Sequence, residues 1–379
     1  MAGRGGALAL VALCMLEVAL RGTGAAAGER LVPAMFVFGD STVDVGNNNL
    51  LPGCKPECRA NYPRYGVDYP SHAPTGRFSN GFNLADQIAQ FLGFNESPPA
   101  FRSLPAEGIV PQMKGGINFA SGGSGLQNQT GWLPLLCSAE ESTLYSMADQ
   151  LEEFTSVVKM MGDSSYDLIS TSLFFLSAGS NDLFEYADDK SPDPHRDDTA
   201  FLKCLVDSYK TYLQELYAAG ARKFSIVSPS LVGCCPSQRA AALTHHNGLD
   251  ELHCFGAANN LSRQLYPLLA STLQGLSRDL DGMHYSISDS TGMAETVFTP
   301  GGAIGYNLTV LDTACCAGSG QFGTGGCNAS AVLCPNRANF VFWDGFHPTE
   351  YASSLAAFVL FNGGGKFVGP INVEQLAAL

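Results

Sequence analysis

Basic residues are scarce in this chain. Lysine and arginine together number 21 against 35 aspartates and glutamates, a formal net charge of −14 over 379 residues. A surface this acidic repels phosphate backbones and anionic membranes, which disfavours nucleic acid and tight lipid-surface binding and favours a neutral substrate. Charge of either sign is thin at 15%, against about a quarter in an average domain, while 45% of residues are hydrophobic. Such a composition packs a core and does not stay disordered. Beyond the N-terminal segment no apolar run reaches the roughly 20 residues a bilayer span needs, so a soluble mature protein is expected. No C-x-x-C occurs, which argues against metal ligation by the cysteines. No G-x-S-x-G occurs either, which removes the nucleophile elbow of the α/β-hydrolases. With only seven histidines, candidates for a catalytic base are few.

What is present begins with Arg4, an apolar run from Ala7 to Leu20 broken by Glu17, and the small residues GTGAAAG. Basic, apolar and small segments in that order mark a cleaved secretory signal, expected over residues 1–27, with 28–379 as the mature chain. Of twelve cysteines, Cys14 falls in that signal, and eleven are too many for a reducing compartment. Disulfides with one thiol left over are expected. Spacing does not determine their connectivity; the trial pairings are Cys327 with Cys334, and Cys254 with Cys234 or Cys235. Five N-x-S/T sequons stand at Asn95, Asn128, Asn260, Asn307 and Asn328, the first weakened by a proline after its serine. The combination points to a secreted, extracellular glycoprotein.

Five short runs have strand composition: MFVFG (35–39), INFAS (117–121), LFFLSAG (173–179), FSIVS (224–228) and HYSIS (284–288). Each is nearly continuous in apolar residues, as in strands covered on both faces of a parallel sheet. Helical spacing fills the intervals: Phe82, Ile88, Phe91 and Leu92 with Ser79 or Asn80 as cap, then 144–161, 200–219 and 255–280. Strand and crossover helix in alternation predict one α/β domain, three layers deep, around a central parallel sheet of about five strands. Two Gly/Cys/Pro-rich loops, roughly 46–80 and 300–340, hold the excess length.

Ligands of an open parallel sheet bind at the carboxyl ends of its strands. FVFGDST places Ser41 at the first such end, before a helical turn whose N–H groups carry partial positive charge. A serine hydroxyl needs a base within hydrogen-bond reach and a third group to orient that base. His347 in FWDGFHPTE has Asp344 three residues earlier, close enough for a carboxylate to reach Nδ1 and leave Nε2 for the serine. An acyl transfer also needs donors aimed at the oxyanion. Gly122-Gly123 ends INFASGGSG, and Asn181 ends LFFLSAGSND. Asp40 is read as a turn former and Arg77 as a structural ion-pair partner. His246, Asp250 and His253 would share one helix face, but THHNGLDELH reads as a solvated helix, and no metal or other cofactor is expected.

The blocks FVFGDST, NFASGGSG, AGSND and DGFHPTE, with PTGRFSNG and the cysteine region 315–334, resemble the plant GDSL-type esterase/lipases of the SGNH hydrolase superfamily. The resemblance implies a flavodoxin-like α/β/α fold and a serine esterase or lipase of the cell wall or apoplast. It implies Ser41, Asp344 and His347 as catalytic groups, and Ser41, Gly122 and Asn181 as oxyanion donors, with Gly123 the alternative to Gly122. The inserted Cys54 and Cys58, Thr42 after GDS, and the doubled Cys234-Cys235 depart from the usual pattern. Acyl transfer, polysaccharide O-deacetylation and non-catalytic glycan or lipid binding are the other uses such a chain allows. The expected partner is an ester, small or polymer-linked, bound to a monomer.

Overall fold

The structure, a computed structural model, describes residues 30–127, 145–188, 197–245 and 248–379. The segment 1–27, Asn128 and His246 therefore lie outside the described residues.

Strands β1 (Met35–Gly39), β2 (Leu173–Ser177), β3 (Lys223–Val227) and β4 (His284–Ser288) lie side by side in chain order, all parallel. The register runs Met35 to Leu173 to Lys223 to His284, so the four carboxyl ends form one rim. Alternation sends Phe36, Phe38, Phe174, Leu176, Phe224 and Ile226 to one face, under the Met147–Met161, Asp198–Ala218 and Gly256–Asp279 helices. Met35, Val37, Leu173 and Phe175 point the other way, against Leu84–Phe91, Glu350–Asn362 and Val373–Ala377. Both faces are dry, which is why β1 and β2 read as unbroken apolar runs.

Two strand expectations change. INFAS does run beside β1, with Ile117 accepting from the Val37 N–H at 3.1 Å and Phe119 donating to Val37 at 2.8 Å. Only Asn118 makes bridge pairing to β1: the Ser121 N–H still donates to Gly39 at 3.0 Å, but the Gly39 N–H that would extend the ladder goes to Gln150 instead, at 2.9 Å. The fifth strand is instead Val368–Pro370, antiparallel to β4. Among the helices, Leu84–Phe91 is capped by Asn83 in a capping box with Asp86, not by Ser79 or Asn80.

The two long loops form a folded unit. Cys316–Ala317 pairs antiparallel with Val332–Leu333, and around them Ala60, Tyr65, Phe78, Cys315, Cys327 and Trp343 make a separate small core. That register sets Cys315 opposite Cys334 and leaves Cys316 for Cys327, which corrects the trial pairing of Cys327 with Cys334. Cys254 pairs with Cys234, while the adjacent Cys235 turns away and stays a buried thiol. Cys54 and Cys204 are also unpaired, so three thiols are left over among the described residues, more than expected. Arg337 forks onto both oxygens of Asp68, joining the 300–340 loop to the 46–80 loop.

Candidate active site

Ser41 stands two residues beyond Gly39, the last residue of β1. Gly39 makes that exit possible: its φ is +140°, and a Cβ there would stand 1.9 Å from the Ser177 carbonyl oxygen. Gln150, on the Met147–Met161 helix, clamps the same residue, accepting the Gly39 N–H and donating to its carbonyl, both at 2.9 Å. The chain then makes one turn, with the Val43 and Asp44 N–H groups donating to the Asp40 carbonyl. Asp40 is a turn former, as expected: its carboxylate accepts from the Thr42 N–H at 2.9 Å and hydroxyl at 2.6 Å. Burial pushes its carboxyl up to about 6, against those bonds and the charge of His347. Thr42 also lies 2.9 Å from the Ser177 hydroxyl, tying the turn to β2.

His347 reaches this turn from the far end of the chain, with Nε2 2.7 Å from Ser41 Oγ. Its Nδ1 lies 2.9 and 2.8 Å from the two oxygens of Asp344. With Nδ1 against a carboxylate the ring proton sits there, which leaves Nε2 as an acceptor. Asp344 Oδ1 also accepts the Phe346 and His347 N–H groups, each at 2.9 Å. Burial alone would raise this carboxyl, but the charge of His347 and these hydrogen bonds outweigh it and hold the group below its ordinary value.

Tyr65 is a partner that sequence reading missed. Its hydroxyl donates to Asp344 Oδ2 at 2.8 Å, and burial followed by the Asp344 charge pushes the phenol well above its usual value. Phe78 lies on the His347 ring at 4.9 Å, and Tyr65 meets Phe78 edge-on. From the other loop, Cys316 donates to the Trp343 carbonyl at 2.7 Å, and the Trp343 N–H donates to the His347 carbonyl at 2.7 Å. Arg77 is the structural ion-pair member expected of it, forked on buried Asp86 at 2.7 and 2.8 Å.

The oxyanion candidates sort differently from expectation. The Gly122 N–H donates to Asp44 Oδ2 at 3.0 Å, which occupies it; Asp44 also takes the Gly46, Asn47 and Asn48 N–H groups. Gly122 is still required, because a Cβ there would meet Asn48 at 2.7 Å and Phe78 at 2.8 Å. Gly123, at φ +86°, and Ser41 have main-chain N–H groups that no described residue accepts. The Asn181 amide spends one proton on the Ser124 carbonyl at 2.8 Å and keeps the other. Ser41, Gly122, Gly123, Asn181 and His347 line one cavity of about 460 Å³. Asp44, Asn47 and Asn48 had a signal in DVGNNN, but one that reads as an ordinary turn.

Asp250 and His253 lie in a segment with no helix, which corrects the solvated-helix expectation. Asp250 accepts the Leu252 and Cys254 N–H groups at 2.9 Å, closing a turn. Asn95, Asn260, Asn307 and Asn328 are all exposed.

The model of the family described as GDSL-like Lipase/Acylhydrolase matches residues 35–358. Among similar proteins of Arabidopsis thaliana, GDSL esterase/lipase At1g71691 is 33% identical over 355 residues, covering 93% of this chain and 87% of its own. GDSL esterase/lipase At5g08460 is 32% identical over 372 residues, with 92% and 88% covered. GDSL esterase/lipase At4g16230 is 32% identical over 386 residues, 98% of both chains. A four-strand parallel rim, a serine on its first corner and a family match along nearly the whole described chain agree: it belongs to the GDSL-like lipase/acylhydrolase family and is a carboxylic ester hydrolase.

Proposed function

We propose that the chain is a secreted serine esterase working through Ser41, His347 and Asp344 by an acyl-enzyme. The observation that carries this reading is the unbroken chain of contacts from Ser41 Oγ through His347 to Asp344, 2.7 Å and then 2.8 Å. Nε2 removes the serine proton as Oγ attacks the ester carbonyl, and Asp344 stabilises the imidazolium that forms. The tetrahedral oxyanion is held by the Ser41 and Gly123 N–H groups and the remaining Asn181 amide proton. Gly123 replaces Gly122 in this role because the Gly122 N–H is already given to Asp44. The alcohol departs with the proton from His347, and water repeats the cycle to release the acid. The scheme requires no metal or organic cofactor.

Export is supported by the basic-apolar-small order of residues 1–27, by the disulfides, and by four exposed sequon asparagines as glycosylation sites. Among the described residues no helix is long and apolar enough to cross a membrane. Fluorophosphonate labelling with peptide mapping tests the site. One adduct on Ser41 is expected, with turnover reduced at least about 10⁴-fold in Ser41→Ala and His347→Ala. An adduct elsewhere, or undiminished turnover in either variant, would remove the reading.

A further inference from the structure

The cavity that opens at Ser41 and His347 continues past them. It runs over the ends of β2 and β3 and between two helices, Ser290–Phe298 and Glu350–Asn362. Met293 and Val297 line it from the first; Leu355, Phe358 and Val359 line it from the second.

Three features define what fits there. First, the Glu350–Asn362 helix, EYASSLAAFVLFN, is apolar nearly all round, a pattern that belongs to fully enclosed helices. Ala357, Leu360 and Phe361 cover the core, but Leu355, Phe358 and Val359 are only half-buried and border the cavity. Second, several wall hydroxyls are committed to main-chain carbonyls. Ser228 donates to Ser288 at 2.7 Å, Ser354 to Tyr351 at 2.8 Å and Thr296 to Gly292 at 3.0 Å. These three hydroxyls are not free to bind a sugar ring. Third, among the described residues no lysine or arginine lines the cavity, so a carboxylate or phosphate inside would lack a counter-charge. A volume of about 460 Å³ is far more than an acetyl group needs, and lies within the roughly 300–1,000 Å³ of ligand sites.

We infer that this channel holds the acyl chain of the ester, an uncharged, unbranched hydrocarbon of medium to long length, with its carbonyl at Ser41. The inference rests on the serine esterase reading and names the substrate class for the same site. Val297 and Ala352, on opposite walls, then set chain-length selectivity without touching the reacting atoms.

The test uses the full secreted chain and p-nitrophenyl esters from acetate to decanoate. kcat/KM is expected to rise by up to about fourfold per methylene until the channel is full. Val297→Trp and, separately, Ala352→Trp are expected to cut decanoate turnover at least about tenfold and to leave acetate within about threefold of the parent. Turnover that is fastest on acetate and falls with each added carbon would overturn the channel and leave the esterase standing, as would tryptophan variants that fold and keep the long-chain preference. Absence of both a Ser41 adduct and any ester turnover would remove the esterase reading, and the channel with it.

Discussion

Ser41 and the Asp344–His347 pair meet at 2.7 Å, but they are held in place by different physics. The serine stands on the rim of a sheet whose two faces are filled with phenylalanine and aliphatic side chains; Phe38 alone stacks on Phe119 at 5.2 Å and meets Phe154 edge-on at 5.6 Å. Asp344 and His347 stand against a loop unit with a small core, two disulfides and an ion pair, whose regular structure is one two-residue strand pair and short turns. Position on the sheet comes from burial, which is cooperative and global. Position in the loop unit comes from cross-links, which are local. Stability and catalysis should therefore separate when one region or the other is damaged.

The largest effect is expected on the sheet side. Phe38→Ala should cost about 3–5 kcal/mol of unfolding free energy, read by denaturant titration, because it opens a cavity among stacked rings. Molecules that remain folded should keep most of their kcat. On the loop side, Cys316→Ser combined with Cys327→Ser removes a staple worth about 2–4 kcal/mol to the unit it closes. Here the expectation inverts: ester turnover falls steeply while the far-ultraviolet circular dichroism of the sheet and helices survives. A double variant that lost secondary structure in step with activity would show that the two regions are one cooperative body.

Tyr65→Phe sharpens the contrast to a single hydroxyl. Losing a hydrogen bond to a carboxylate should lower kcat about tenfold with KM nearly unchanged. In an Asp344→Ala background the same substitution should do almost nothing, since its effect passes through that carboxylate. Equal losses in both backgrounds would assign Tyr65 to packing alone.

The smallest effect concerns pH. Burial raises Asp40 and Asp44 to about 6 and Glu350 to about 7. A carboxyl whose folded value is raised binds its proton more tightly when folded, so its stabilising share is full below its unfolded value near 4 and lost as pH rises through 6 to 7. Asp344, held low, acts in the opposite sense and only in stronger acid. Thermal unfolding should therefore occur at higher temperature at pH 5 than at pH 7.5, and Asp40→Asn should flatten that slope.

Much of this was legible in the chain because it is local. Four of the five expected strands form where the apolar residues cluster, and Asp344 and His347 are three residues apart in one turn. What escaped depends on distance. Gln150 clamps Gly39 across 111 residues, and Tyr65 reaches Asp344 across 279. Neither contact leaves a periodicity to find. Gly122 was read by its lack of a side chain, but its N–H donates to Asp44, 78 residues earlier. Val368–Pro370 is three residues long and contains a proline, too little pattern to mark a strand.

The separation of 306 positions from Ser41 to His347 also sets an order of events in biosynthesis. A chain emerging from its N-terminus makes the strand that carries Ser41 early and reaches His347 only after nearly everything else has been made. On the proposed mechanism, a polypeptide halted anywhere before Asp344 carries a serine hydroxyl with no base to take its proton. Reactivity toward esters through Ser41 then belongs to finished molecules alone.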